Sequence, residues 1–346
     1  MSTLLGDVVT RLFTDRVSKE LIESAEKGAW PAALWREIEE GGLTMPLVPE
    51  ARGGAGGTWL DAYAVIHAAG RHAVPLPVAE TILAGWLLSR AGLDVPEGPL
   101  TIAPVHLDER VRLTPVGSRW RLDGTATRVP WGRDAGHVVV VAPSDAGTVI
   151  GLVAGNGATV ITDRNLALEP RDTLTWSDAE AVAAATDLPA DVAWRYGALV
   201  RAAQMAGGLE SLLAQSVRYA TERKQFGKAI GSFQVIQQNL ALLAGHTAAA
   251  GMAAAHAFRC AERGDAWFDI AVAKTRVGEA AGLGAGIAHQ THGAIGFTYE
   301  HSLHFTTRRL WSWRAEFGGE GWWAAELGRS VARDGAEALW PKLTAR

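Results

Sequence analysis

The chain contains a single cysteine, Cys260. An internal disulfide is therefore excluded, which agrees with a reducing compartment. In its Ala-rich helical surroundings the thiol reads as a small core residue. Charge of one sign is also missing: 33 Lys and Arg against 37 Asp and Glu leave a net charge of -4. Scattered along the chain, these charges provide no electrostatic footprint for nucleic acid. No stretch approaches the roughly 20 uninterrupted apolar residues of a membrane span. The first residues, "MSTLLGDVVTRLFTDRVSKELIE", break their apolar positions with Asp, Arg and Lys, unlike a signal peptide. The expectation is a cytoplasmic protein with no membrane and no nucleic acid among its partners. No Gly-x-Ser-x-Gly elbow occurs, which removes the serine hydrolases. The glycine-rich "TMPLVPEARGGAGGTWLDAY" is followed by no Lys-Ser/Thr and preceded by no strand, so it reads as a helix-to-helix turn and not a phosphate cradle.

What is present is ordinary globular material. The chain has 346 residues, 48% of them hydrophobic and 20% charged, enough for two or three units with cores of their own. The helical period holds from Val8 to about Ala91, with "LWREIEEGG" closing on two glycines, an N-cap at Thr58 and a helix from about Pro77 to Arg90. From about Pro99 to Thr175 it gives way to short β-rich runs: "LTIAPVHL", "VRLTPV", "WRLDGTA", "HVVVVAP", "TVIGLVAG" and "ATVITD". With no helices between them, these predict a compact antiparallel unit and not a parallel nucleotide-binding sheet. From about Pro189 the helical period returns. "PADVAWRYGALVRAAQMAGGLESLLAQSVRYATE" is followed by a helix of about 30 residues from Ser232, another from about Asp265 to His289, and shorter ones from Tyr299 and Gly321. The glycines of "GLGAGIAHQTHG" lie within a helical segment, where small residues let helices approach closely, and make a weak dinucleotide signal. The predicted fold class is α+β multidomain: an N-terminal helical domain over 1–97, a middle antiparallel β domain over 98–186 and a C-terminal four-helix bundle over 187–346.

Two motifs punctuate the last segment: "ERKQFGKAIGSFQ" at the first bundle turn and "QTHGAIGFTYEHSLHFTTRR" before the last helices. Together with "LWREIEEGGLTMPLVPEARGG" and the helical, β, helical order, they resemble the acyl-CoA dehydrogenase family over nearly the whole chain. The resemblance is greatest to the short degenerate subunits of actinobacterial α2β2 enzymes that act on steroid side-chain thioesters. Taken alone, Arg223 reads as a solvated cation at a helix end. The resemblance gives it FAD, whose diphosphate suits a guanidinium better than a mobile ammonium. It implies that Phe226 lies against adenine or ribityl carbons and that Gly227 admits the cofactor without a Cβ in the way. Gln225 and Gln234 meet polar edges, and Phe233 completes the Ile-Gly-x-Phe-Gln element. Gln290, Gly293, Ala294 and Gly296 match the family's Gln-x-x-Gly-Gly-x-Gly, with Ala294 in place of the second glycine. Trp131 in "ATRVPWGRDAGHVVVVA" stands where an aromatic would cover the flavin ring. In the family the first turn reaches the FAD of a neighbouring subunit, so a homo- or hetero-oligomer with a second family-like chain is implied. Acyl-CoA as substrate and electron-transfer flavoprotein, or a similar acceptor, follow from the same resemblance.

The family's reaction removes an α-proton from a thioester while hydride leaves the β-carbon for the flavin, so a carboxylate base is required. Of the two family positions for it, one falls on Phe317 and the other on Gly197, neither of which takes a proton. Glu316, one place early, is the candidate catalytic residue, with Glu320 behind it. "TIAPVHLDERVRL" also departs from the family's Thr-Glu-x-x-x-Gly-Ser-Asp loop. A catalytically silent, cofactor-scaffolding subunit is the alternative. His289 and His292 of "HQTH", with His301 and His304, have no carboxylate or cysteine at a matching spacing, so no metal is expected there. Trp311, Trp313, Trp322 and Trp323 cluster where a subunit surface or acyl pocket would be.

Overall fold

A computed structural model describes residues 3–117, 119–144 and 147–344. The chain divides into two compact units, Met1–Ile66 with Pro75–Val200, and His67–Val74 with Arg201–Arg346.

The first unit opens with α1 (Thr3–Arg16), α2 (Lys19–Glu26) and α3 (Ala32–Glu40), followed by α4 (Trp59–Arg71) and α5 (Val78–Arg90). Local chemistry sets their ends. Ser18 Oγ accepts from the Leu21 amide at the start of α2. Thr58 and Asp61 cap α4 reciprocally: the Thr58 amide donates to Asp61 Oδ2 at 2.9 Å and the Asp61 amide to Thr58 Oγ1 at 3.3 Å. In the glycine-rich loop before α4, a Cβ on Gly54 would lie 2.1 Å from the Val48 carbonyl oxygen, so this glycine serves close packing. Helix α5 is buried from Val78 to Leu88, and Thr81 exchanges hydrogen bonds with the backbone of Leu100.

Leu100 begins the sheet: β1 (Leu100–Ala103), β2 (Val111–Val116), β3 (Arg119–Pro130), β4 (His137–Ser144), β5 (Gly147–Ala154), β6 (Thr159–Ile161) and β7 (Arg171–Thr186). The order is β1-β4-β5-β7-β3-β2, with β6 on β7. All pairs are antiparallel except β1 with β4. That pair is parallel because the β2–β3 hairpin intervenes and supplies the long crossover a parallel neighbour needs. Leu122, Val129, Val138, Val140, Leu174 and Trp176 form its core. The sequence expectation ends the β segment at Thr175, yet β7 runs eleven residues further, through "WSDAEAVAAAT". Its partners override the helical propensity of that run: Ala181 and Ala179 pair with β3, and Val182 to Thr186 with β5.

The second unit holds the later part of α6 (Val192–Glu222), α7 (Gln234–Ala261), α8 (Trp267–His292), α9 (Leu303–Ala315), α10 (Glu320–Asp334) and α11 (Ala336–Thr344). Small residues bring the helices together. A Cβ on Gly284 of α8 would stand 2.8 Å from Leu209 of α6 and 3.1 Å from Leu243 of α7; one on Gly208 would stand 3.0 Å from Leu310 of α9. Helix α7 is long and apolar enough to cross a bilayer by length and composition. Here the face carrying Leu243, Thr247, Ala250, Ala254 and Phe258 is buried, and α8 packs against the helix.

Candidate cofactor and acyl-CoA site

Helix α6 ends at Glu222, and the chain turns back at once. Lys224–Gln225 (β8) pairs antiparallel with Lys228–Ala229 (β9), leaving Phe226 and Gly227 as a two-residue link. Both have positive φ, 53° and 81°, the pattern of a type I′ turn. Asn or Gly occupies such corners cheaply; Phe does not. The residue is nevertheless 91% exposed, its ring centroid 6.1 Å from that of Phe233 in an edge-on arrangement, with Lys228 Nζ 4.5 Å from the Phe233 centroid. The Ile230 amide donates to the Arg223 carbonyl at 2.8 Å and closes the turn. Arg223, Gln225 and Gln234 are exposed, and Arg223 makes no ion pair among the described residues. A rigid corner thus presents Arg223, Lys224, Lys228 and a bare aromatic ring, a surface suited to an anionic ligand with a planar part.

The second motif lies beside the first. Tyr219, whose carbonyl accepts from the Arg223 amide, stacks on His292 at the end of α8 with centroids 4.5 Å apart. Gly293 follows at φ 65°, and a Cβ there would meet nothing within 4 Å; Gly227 is the same. Both backbones are therefore open to a ligand. Gly296 has a different reason: its Cβ would crowd His292 and Leu303 at 3.0 and 3.1 Å. Gln290 and Ala294 are exposed. Two buried ring nitrogens, His289 Nδ1 and His292 Nε2, have no hydrogen-bond partner among the described residues. Burial pushes the pKa of both histidines below the ordinary value, partly opposed at His292 by its bond to the Ala288 carbonyl. These imidazoles are occupied elsewhere on their rings: His289 stacks on Phe297 and bonds Thr307, and His304 Nδ1 meets the His301 carbonyl. With open glycine backbones, orphaned polar atoms and an unpaired guanidinium together, the residues fit a dinucleotide cofactor.

The segment after α9 carries the candidate base. Glu316 Oε2 accepts from Arg201 Nε at 2.7 Å, and Arg201 is 1% exposed. Arg201 also donates to Gln204 and lies 5.6 Å from the Phe317 ring centroid. Phe317 itself is buried at φ 53°, its carbonyl accepting from Trp323 Nε1. Below the loop, the fully buried Lys274 ammonium faces the carbonyls of Trp313, Arg314, Glu316 and Gly318. Burial pulls its pKa down to about 7, with Glu316 the largest opposing influence. Glu320 is bound to Arg314, whose hydrogen bonds hold the carboxyl below its usual range. Arg201, Lys274 and Tyr219 escape the motif reading. For Lys274 a signal existed: Ile270, Ala271, Val277 and Gly278, three and four residues away on the same helix, put it on an apolar face.

Of the remaining expected positions, Gly197 is buried within α6 and belongs to the first unit. Trp131 is in that unit too, at φ 56° and nearly buried, in a cleft of about 230 Å³ lined by Trp30, Pro31, Arg133 and Arg164.

A helical start, a sheet in the middle and a helical end with two glycine-bearing corners are the three-part architecture that the sequence motifs led us to expect. The chain matches the acyl-CoA dehydrogenase N-terminal domain over residues 2–94 and the C-terminal domain over residues 193–319. Two Mycobacterium tuberculosis acyl-CoA dehydrogenases are similar. FadE34 is 34% identical over 84% of this chain, which spans only 42% of FadE34; FadE27 is 30% identical over 87% of this chain and 88% of its own length. Among solved structures, the ChsE4-ChsE5 complex from Mycobacterium tuberculosis superposes with a TM-score of 0.85 at 26% identity, covering 95% of this chain and 96% of that one. The steroid ACAD Tcur3481-Tcur3483 gives 0.88 at 25% identity, covering 96% and 98%. The chain belongs to the acyl-CoA dehydrogenase family, whose cofactor is FAD.

Proposed function

We propose that this chain is one subunit of a cytoplasmic, FAD-dependent acyl-CoA dehydrogenase built from two kinds of chain, and that its partner supplies the catalytic base. The observation that carries this reading is the state of Glu316. The carboxylate nearest the family's base position is partly buried and bound to the buried Arg201, and the position itself holds Phe317. A general base needs a free lone pair aimed at the proton it takes. Here Oε2 of that carboxylate is tied to the Arg201 guanidinium. The other family position, Gly197, has no side chain to offer.

Bound FAD supplies the hydride acceptor for the β-carbon of the thioester. This chain's part would be to hold the cofactor: Arg223 would offer its guanidinium to the diphosphate, Phe226 would cover a planar or apolar stretch, and the Gly227 and Gly293 backbones would admit the ligand without a Cβ in the way. The ChsE4-ChsE5 complex and the steroid ACAD Tcur3481-Tcur3483 support a two-chain assembly and a steroid thioester substrate. Electron-transfer flavoprotein, or an acceptor like it, would be the electron-accepting partner.

The test is anaerobic. The full chain is purified alone and with the family-like chain that co-purifies with it, and acyl-CoA is added to each. Bleaching of the flavin band only in the mixture is the expected result, with Glu316→Gln bleaching in the mixture within about twofold of wild type. Rapid bleaching by the chain alone, abolished by Glu316→Gln, overturns the reading and makes Glu316 the base.

A further inference from the structure

A second cluster of chemical groups stands apart from the flavin corner, at the other end of the α7–α8 hairpin. His256 and Cys260 are four residues apart on α7, so their side chains share one face of the last turns. The chain returns at Ala266, and Asp269 in the first turn of α8 meets that face. His256 Nε2 lies 3.5 Å from Cys260 Sγ and 3.4 Å from Asp269 Oδ1, and the three donor atoms all fall within 4.8 Å of one another. Cys260 and Asp269 are buried, while the His256 side chain is 40% exposed.

Those separations carry information. A charge-assisted imidazole-to-carboxylate hydrogen bond closes to about 2.7–2.9 Å, well short of the distance here. A tetrahedral zinc ion, with bonds of about 2.0–2.1 Å to nitrogen and about 2.3 Å to sulfur, holds N and S roughly 3.6 Å apart and N and O roughly 3.4 Å apart. The two edges that meet at His256 Nε2 match such a polyhedron, and the third, between Cys260 Sγ and the Asp269 carboxylate, lies within 4.8 Å. We propose that His256, Cys260 and Asp269 bind one zinc-class divalent cation, with water in the fourth position on the exposed side of His256. A thiolate and an imidazole select zinc or cobalt over magnesium or calcium, and thiolate plus carboxylate offset the dication's charge. The ion ties the last turn of α7 to the first turn of α8, a role independent of the flavin reading. The sequence spacing gave no hint of it, because Cys260 looked like a core residue and Asp269 lies across a turn.

The untagged full chain, stripped with a chelator, is titrated with Zn2+ against a chromophoric chelator and, separately, with Co2+. One tightly bound equivalent is expected, with a sulfur-to-cobalt charge-transfer band in the near ultraviolet and tetrahedral d–d bands to the red of any flavin absorption. Cys260→Ser removes the charge-transfer band. His256→Gln, at a half-exposed side chain that does not hold the core, and Asp269→Asn each weaken Zn2+ binding about tenfold or more. Melting temperatures of the metal-free variants establish that each is folded, and one equivalent of Zn2+ raises that of wild type alone. Absence of stoichiometric binding at micromolar Zn2+, or binding that survives all three substitutions, overturns the site and leaves Cys260 a core thiol beside a His–Asp pair.

Discussion

Phe226 costs the isolated chain stability through its positive φ and recovers little by burial, its ring being left in water. That placement makes sense only if something covers the ring. Phe226→Asn suits the corner and is expected to stabilise the isolated chain by about 0.5–1 kcal/mol in thermal melts while reducing flavin retention. A variant with unchanged or improved flavin binding would remove the ring from the cofactor's surroundings. Lys274 makes a different case. Its native pKa of about 7 lies below the value near 10.5 it has in the unfolded chain, so between those values the unfolded state binds more protons. Its burial penalty is full below pH 7 and is relieved as pH rises toward 10.5. Lys274→Met strands the four carbonyls of residues 313 to 318 and is expected to cost about 2–4 kcal/mol. The wild-type advantage over this variant should widen from pH 7 to 10 in parallel melts; a constant gap contradicts the assigned burial. Arg223, Phe226 and Gly227 were legible as a motif. The Arg201–Glu316 pair was not, since 115 residues separate partners that only the packing of α6 against the end of α9 brings together.

At the scale of elements, glycine placement decides how closely helices approach. Gly207 of α6 faces the end of α4 within the second unit, where a Cβ would lie 2.0 Å from the His67 carbonyl oxygen. Gly245 on α7 faces nothing within 4 Å. Gly207→Ala is therefore expected to destabilise by about 3 kcal/mol or more, because backbone must move, whereas Gly245→Ala should stabilise by about 0.5–1 kcal/mol through helix propensity. Equal effects in thermal melts would mean that the α4–α6 approach is looser than described. The helices were readable from apolar period and caps, and Thr58 sits where its capping chemistry predicts. Strand β7 was not among the runs read from the sequence, and its second half was hidden because Ala-Glu-Ala-Val-Ala reads as helix until β3 and β5 claim its backbone on both sides. The parallel β1–β4 pair was equally hidden, since strand spacing does not encode spatial order.

For the molecule as a whole, the order helical, β, helical was plain in the sequence, and the two glycine-bearing motifs made the family recognisable. What the sequence could not convey is that both motifs meet through the Tyr219–His292 stack, leaving a cationic, aromatic corner exposed. The account rests on that corner gripping the diphosphate of FAD. Its most direct test is the flavin content of the co-purified assembly carrying Arg223→Ala, with Arg223→Lys alongside. The account predicts that Arg223→Ala retains about a tenth of the wild-type flavin or less, that Arg223→Lys falls between the two because it keeps the charge without the fork, and that far-ultraviolet dichroism is unchanged. Full flavin occupancy in the Arg223→Ala assembly would contradict it.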